Sequence, residues 1–322
     1  MVKKIKNYNN FNISSDHKNS IILIGNFDGV HLGHQKLFLL AKKYQKRYKL
    51  KIGVITFEPM PKMYFNKNLK NFRISNLNQK KILLDQLGVD FVITKKFDKN
   101  FSKIKYYSFI KNILYKKIKP KYIFVSNNFR FGNKREGNVK KLIQNEKKFN
   151  YKIIKPKPLI SKNQIVSSTY IRKLLSKGNL IYANKLLKRN WSIESLVQRG
   201  RQMGKKIGFP TCNLDIKNYV TPKLGVYAVK IHRKNSSKAL KGIANIGYRP
   251  TFNQKKILLE VHIFNFSGNL YNKVLTIDFI SFIRNEKKFK NINQLRKQIS
   301  SDLDMAKKKI KLNYVERKYK FT

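Results

Sequence analysis

Four short stretches of the sequence hold residue types that could act on phosphate. The first reads Ile24-Gly25-Asn26-Phe27-Asp28-Gly29-Val30-His31-Leu32-Gly33-His34 and leads from an apolar run into helical spacing. Glycines let backbone approach an anion closely, and a helix N-terminus offers unpaired N–H groups with partial positive charge. His31 and His34, three apart at that entrance, can aim imidazole donors at a triphosphate and stabilise charge developing on its oxygens, with no covalent bond to the protein. Taken alone, a His-x-Gly-His is as readily a capped, exposed helix start. The second stretch, Ser167-Ser168-Thr169-Tyr170-Ile171-Arg172, reads by itself as an N-cap followed by an exposed cation. The third runs Gly204-Lys205-Lys206-Ile207-Gly208-Phe209-Pro210-Thr211-Cys212-Asn213. In extended chain Thr211 and Asn213 project to one side, so a hydroxyl and an amide oxygen can both face one Mg-nucleotide, while glycines at 200, 204 and 208 permit a flap over phosphates. Fourth is Glu260, whose alternation with Val261 and Ile263 puts it on the more polar face of a strand beside His262; a Glu so placed is ordinarily solvated.

These residues need a scaffold, and the apolar pattern supplies one. Runs at Ser20 to Gly25, Lys51 to Thr56, Val89 to Thr94, Lys121 to Ser126 and Tyr151 to Lys155 alternate with helical spacing at Gly33 to Arg47, Asn78 to Leu87, Tyr106 to Lys117 and Asn138 to Lys147. That repetition predicts an α/β domain with a doubly wound parallel sheet, in which the first stretch leaves the carboxyl end of the first strand, where such sheets bind ligands. Two helices, Thr169 to Ser176 and Leu180 to Leu187, close the domain at 1–187. From Trp191 the runs shorten: Trp191 to Val197, Gly225 to His232, Lys241 to Ile246, Leu258 to Phe266 and Val274 to Phe282. They predict a small antiparallel β-barrel over 188–322. A helix from Ile292 packs Leu295, Ile299, Leu303 and Ala306 on it.

Composition excludes several other classes. The 322 residues suffice for about two domains of ~150 residues, and no apolar run approaches the ~18 residues of a membrane helix. A single cysteine, Cys212, rules out an internal disulfide and, with five scattered histidines, argues against structural zinc; a cytoplasmic protein is expected. The net charge of +56 suggests an anionic partner, yet 59 of the 72 basic residues are Lys spread over both halves, and Asn, Ile, Phe and Tyr, like Lys encoded by AT-rich codons, are abundant too. No specific nucleic acid and no membrane partner is expected from a charge so dispersed.

The first stretch resembles the nucleotidyltransferase signature of the prokaryotic bifunctional riboflavin kinase/FMN adenylyltransferases, also called FAD synthetases. Val125-Ser126-Asn127-Asn128-Phe129-Arg130-Phe131-Gly132 is similar to the family's flavin and nucleotide loop, and Ser167 to Arg172 to the segment that binds its ATP phosphates. In Phe57-Glu58-Pro59-Met60-Pro61, Met60 stands where the family commonly has His. The third stretch looks like the kinase signature with its Pro-Thr-x-Asn core, and Arg284-Asn285-Glu286-Lys287-Lys288-Phe289 resembles the loop bordering the flavin.

The resemblance implies two reactions. An FMN phosphate oxygen attacks the α-phosphorus of ATP with His31, His34 and Arg172 neutralising the crowded oxygens, and a riboflavin hydroxyl attacks the γ-phosphorus with Glu260 as general base. It further implies ATP contacts at Gly25, Asn26, Gly33, Ser167, Ser168, Thr169, Gly204, Lys206 and Gly208, and flavin contacts at Asn128, Phe129, Arg130, Arg284 and Phe289. Thr211 and Asn213 would hold Mg2+. Asp28 serves either as a turn residue or as a contact to metal or adenine. Riboflavin, FMN and ATP are the expected partners. The rival readings are an enzyme with one surviving activity and a basic nucleic-acid-binding protein.

Overall fold

The computed structural model describes residues 5–200, 203–234, 236, 238–251 and 254–313, with 206, 249–251, 254–256 and 313 given as backbone alone. Backbone packing divides the chain into two units, Met1–Leu69 with Leu77–Val166, and Lys70–Asn76 with Ser167–Thr322.

The strands of the first unit are β1 (Lys6–Tyr8), β2 (Ile21–Ile24), β3 (Ile52–Glu58), β4 (Phe91–Lys96), β5 (Tyr122–Phe124), the hairpin β6 (Arg130–Phe131) and β7 (Gly137–Asn138), β8 (Lys152–Ile154), and the hairpin β9 (Ile160–Ser161) and β10 (Gln164–Ile165). Six of them form a parallel sheet in the order β1-β4-β3-β2-β5-β8. All four residues of β2 are buried, as expected of a strand covered on both faces. Its helices are α1 (Leu32–Tyr48), α2 (Pro61–Phe65), α3 (Leu77–Gln86), α4 (Lys99–Ser102), α5 (Tyr106–Ser108), which runs into a π-helical turn at Phe109–Ile118, α6 (Val139–Gln144) and α7 (Glu146–Phe149). The five predicted strands are present. The edge strand β1 escapes prediction because Lys6-Asn7-Tyr8 has no apolar run and joins by main-chain pairing to β4. The helix expected over Asn138 to Lys147 is broken at Asn145.

Chain order reverses between β2 and β5: the chain winds one way from β2 through β3 to β4, then returns to place β5 on the other side of β2. Parallel sheets open a ligand crevice at such a switch point, beyond the carboxyl ends of the two strands.

The second unit comprises α8 (Ser168–Ser176), α9 (Leu180–Leu187), β11 (Trp191–Gln198), α10 (Met203–Lys206), β12 (Cys212–Asp215), β13 (Gly225–Arg233), β14 (Leu240–Thr251), β15 (Gln254–Ile263), β16 (Val274–Arg284) and α11 (Ile292–Asn313). The six strands close into an antiparallel barrel, β11-β12-β15-β14-β13-β16. Trp191, Tyr227 and Phe279 fill its interior, with ring centroids 4.8 Å apart for Trp191 and Phe279. On one side of the barrel α11 sets Ile299, Leu303, Ala306 and Ile310 against Val226, Ala228, Ile243 and Ile280. Packing joins α8 and α9 to this unit, ahead of the boundary expected at 187/188. Buried Asn184 of α9 explains part of this, since its Nδ2 donates to the Phe279 carbonyl at 2.9 Å and its Oδ1 accepts from Trp191 N at 2.7 Å. Lys70–Asn76 belongs here too, and the Ile74 carbonyl accepts the Trp191 indole N–H at 2.9 Å.

Candidate active sites

The loop between β2 and α1 sits at the switch point. Its backbone takes left-handed angles at Phe27 (φ 46°), Gly29 (φ 79°) and Val30 (φ 40°). For a β-branched residue such as Val30 that conformation is strained, and strain of this kind persists where surrounding bonds over-determine it. Here the bonds are visible: Gln35 Nε2 donates to the Val30 carbonyl at 2.9 Å, Val30 N to the Phe27 carbonyl at 3.3 Å, and Thr56 Oγ1 to the Asn26 carbonyl at 3.4 Å. Asp28 is buried within the turn and the Asn26 side chain is exposed.

His31 is the N-cap of α1, and its ring stacks on that of His34 with centroids 3.8 Å apart and planes 20° from parallel. Phe27 meets His34 edge to face at 5.2 Å. His34 Nδ1 is buried with no hydrogen-bond partner among the described residues. Burial, His31 and Lys80 all hold the His34 pKa well below the usual histidine range, so its imidazole stays neutral. Gly33 is required by close approach, because a Cβ there would lie 2.8 Å from the carbonyl of Val166, the residue preceding Ser167.

The Asn128 loop leaves the adjacent strand β5, at the same end of the sheet. Ser126 Oγ donates to Asn128 Oδ1 at 3.0 Å, Phe129 stacks on Phe131 at 5.5 Å, and Arg130 is exposed. Met60 is buried as the N-cap of α2. In the second unit Ser167 caps α8 by accepting from Tyr170 N at 3.2 Å; Ser168 is half-buried and Thr169 exposed. Arg172 donates Nε to the Phe72 carbonyl at 2.7 Å and lies 3.7 Å over the Phe72 ring.

In the barrel, strand register does what a loop does in the first unit. Asn213 of β12 pairs directly with Glu260 of β15, and Glu260 pairs on its other side with Asn245 of β14. Directly opposed residues share a face, so the three polar side chains line one row across three strands. Asn213 Oδ1 is buried with no hydrogen-bond partner among the described residues, and Thr211 is exposed two residues earlier. The flap turns tightly, Phe209 N donating to the Gly204 carbonyl at 2.8 Å, with Gly208 at φ 87° in open space. The side chain of Lys206 lies outside the described residues. Cys212 points away and donates Sγ–H to the Val261 carbonyl at 3.5 Å, and burial pushes its thiol up to about 11. Arg284 is committed to buried Asp302 of α11, with Nε at 2.9 and 3.0 Å and Nη2 at 2.7 Å from the carboxylate, and it lies 5.8 Å over Phe289.

Sequence reasoning missed three contributors. Lys80 and Thr56 stand behind the histidine loop, and His262 donates Nδ1–H to the Pro210 carbonyl at 2.8 Å, fixing the turn before Thr211. A lysine at a core position of α3 was the available signal for the first.

A family model described as FAD synthetase matches residues 13–170, and one described as riboflavin kinase matches 187–310. A bifunctional riboflavin kinase/FMN adenylyltransferase of Buchnera aphidicola subsp. Schizaphis graminum is 39% identical over 300 residues, covering 92% of this chain and 96% of its own. Its counterpart in Escherichia coli K12 is 34% identical over 282 residues, 88% and 90% of the two chains. That in Bacillus subtilis is 31% identical over 300 residues, 91% and 93%. A solved Streptococcus pneumoniae structure, described as a macrolide-efflux protein, superposes with a TM-score of 0.83 at 26% identity over 94% of this chain and 99% of that one. Among the described residues no helix is long and apolar enough to cross a membrane.

Proposed function

The chain belongs to the bifunctional riboflavin kinase/FMN adenylyltransferase family, and from that membership we propose which residues carry its two reactions. It is an enzyme that phosphorylates riboflavin to FMN with ATP and adenylylates FMN to FAD with release of pyrophosphate. The division assigns adenylylation to 1–187 and phosphorylation to 188–322. What supports two separate reactions is that the stacked His31–His34 pair and the opposed Asn213–Glu260 pair lie in different units, each on its own sheet, although α8 and α9 within 1–187 pack with the second unit.

In adenylylation the task is to bring two anions together. Gly25, Asn26, Asp28 and Gly33 cradle the nucleotide, with His31 and the neutral His34 donating to oxygens of the α-phosphate as charge builds there. Ser167, Ser168, Thr169 and Arg172 hold the departing pyrophosphate through hydroxyls, helix-start N–H groups and one guanidinium. Asn128, Phe129 and Arg130 take the flavin, for which half-buried Phe129, stacked on Phe131, offers an apolar ring.

For phosphorylation, Glu260 accepts the ribityl hydroxyl proton as that oxygen attacks the γ-phosphorus and the bond to the β,γ-bridging oxygen breaks, releasing ADP. The flap with Gly204, Lys206 and Gly208 covers the phosphates. Phe289 and Arg284 border the flavin, with Asp302 fixing Arg284 and so the start of that loop. The donors at Thr211 and Asn213 fit a hard divalent cation, since Asn213 presents a buried amide oxygen that no other described residue engages. Mg2+ is the ion proposed there; bound with ATP it would neutralise phosphate oxygens. A cytoplasmic location agrees with the lone thiol.

Incubating the purified full chain with riboflavin and Mg-ATP tests the reading, with FMN expected first and FAD later. FMN that never becomes FAD would leave a kinase alone.

A further inference from the structure

Helix α3 buries Lys80, Leu83 and Leu84, so an ammonium occupies a slot on the apolar face where the spacing calls for a hydrocarbon. At 1% exposure it is the one buried lysine among the described residues. Desolvating an ammonium is costly and is tolerated when fixed partners repay it, and a charge kept in a core position is a mark of function more often than of packing. The partners of Lys80 lead to the histidine loop. Its Nζ donates to Thr56 Oγ1 at 3.3 Å, and Thr56, itself fully buried in β3, donates its hydroxyl to the Asn26 carbonyl at 3.4 Å. Asn26 begins the turn that takes left-handed angles at Phe27, Gly29 and Val30 and delivers His31 and His34. The same ammonium is near enough to His34 to depress its protonation.

We propose that Lys80 is a positioning residue for adenylyl transfer: through Thr56 it anchors the Asn26 carbonyl and holds the strained loop so that His31 and His34 meet the phosphate. This rests on the assignment of that loop to adenylylation. With an anchored loop the pair is preorganised; with a loose one, each turnover must first restore the geometry, a loss that falls on kcat.

Lys80→Met keeps an unbranched stem of similar length and removes the charge and donors. Measured on the full chain, it is expected to lower kcat for FMN adenylylation on the order of 10²-fold, with KM for ATP within about 3-fold, while riboflavin phosphorylation stays within about 2-fold. Thr56→Val should act in the same direction by roughly 10-fold, and the double variant should be no slower than Lys80→Met alone, because both cut one chain of contacts. Parental adenylylation kcat in Lys80→Met overturns the proposal, as does full additivity of the two changes. Should Lys80→Met lose its thermal transition or its kinase activity, the milder Thr56→Val decides: folded and parental in adenylylation, it overturns the anchor; folded and slowed, it supports it. If a folded His31→Ala/His34→Ala chain adenylylates normally, the assignment of the loop itself has failed, which is a different result from failure at Lys80.

Discussion

In the first unit the groups proposed to face phosphate come from one loop whose backbone leaves the ordinary regions at Phe27, Gly29 and Val30, whereas in the second Asn213 and Glu260 come from neighbouring strands held by register. A loop of that kind has no ladder of its own, so its shape depends on side chains sent from elsewhere: Gln35 from α1, Thr56 from β3 and Lys80 from α3. A strand row needs no such props. Its alignment is fixed by main-chain pairing along β12, β15 and β14, and a one-residue slip would turn every inward residue outward. On the proposed assignment, adenylylation is therefore expected to respond to changes far from the histidines, and phosphorylation chiefly to changes at Asn213, Glu260 and Thr211 themselves.

The sharpest separation of the two is expected at Glu260. Glu260→Gln preserves size and register and deletes the proton acceptor, so FMN formation should fall by roughly 10² to 10⁴-fold. Added FMN should still become FAD at the parental rate. A folded Glu260→Gln chain that phosphorylates riboflavin normally removes the base from Glu260, and with it the claim that the strand row is catalytic.

His31→Ala with His34→Ala is the reciprocal change, with a loss of about 10²-fold or more in FAD formation and riboflavin phosphorylation unchanged. Thermal transitions of both variants must match the parent, because global loosening would imitate either effect. Loss of both activities in a folded histidine variant would mean that the units are coupled and that the contrast between loop and strand row does not separate the functions.

How far the sequence alone reaches follows the same contrast. Local spacing made the histidine loop and the Pro-Thr-Cys-Asn segment readable, since glycine placement and strand alternation are written within a dozen residues. Five of the six parallel strands and five of the six barrel strands were readable from their apolar runs; β1 and β12, short and without such a run, were not. What was hidden depends on partners far along the chain. Lys80 is one of 59 lysines, and although its spacing with Leu83 and Leu84 marks a core position, its partner Thr56 comes to it only once α3 is packed. Arg284 reads as a loop cation, and only the return of α11 brings Asp302 to it. Lys70–Asn76 looks like a connector, yet Ile74 supplies the carbonyl that satisfies Trp191. The direct opposition of Asn213 and Glu260 needs the register of two strands almost fifty residues apart.

The smallest effect is expected at Cys212, and it tests whether only one face of the strand row matters. Cys212 lies between Thr211 and Asn213, so a reactive thiol there would sit against the nucleotide. Alternation instead turns it to the opposite face, where Sγ–H meets the Val261 carbonyl and burial pushes the thiol up to about 11. A raised thiol pKa means less thiolate: at pH 8 about 0.1% of such a group is ionised, against roughly 10% for one near 9, and alkylation follows the thiolate. Iodoacetamide at pH 8 should therefore label Cys212 on the order of 10²-fold more slowly than a free thiol. Cys212→Ala should leave riboflavin phosphorylation within about 2-fold, since it removes one weak hydrogen bond and little volume from the face that does not touch phosphate. Rapid labelling, or a kinase lost on Cys212→Ala while the barrel stays folded, would place the thiol on the nucleotide face and overturn the register argument for Thr211 and Asn213 as well.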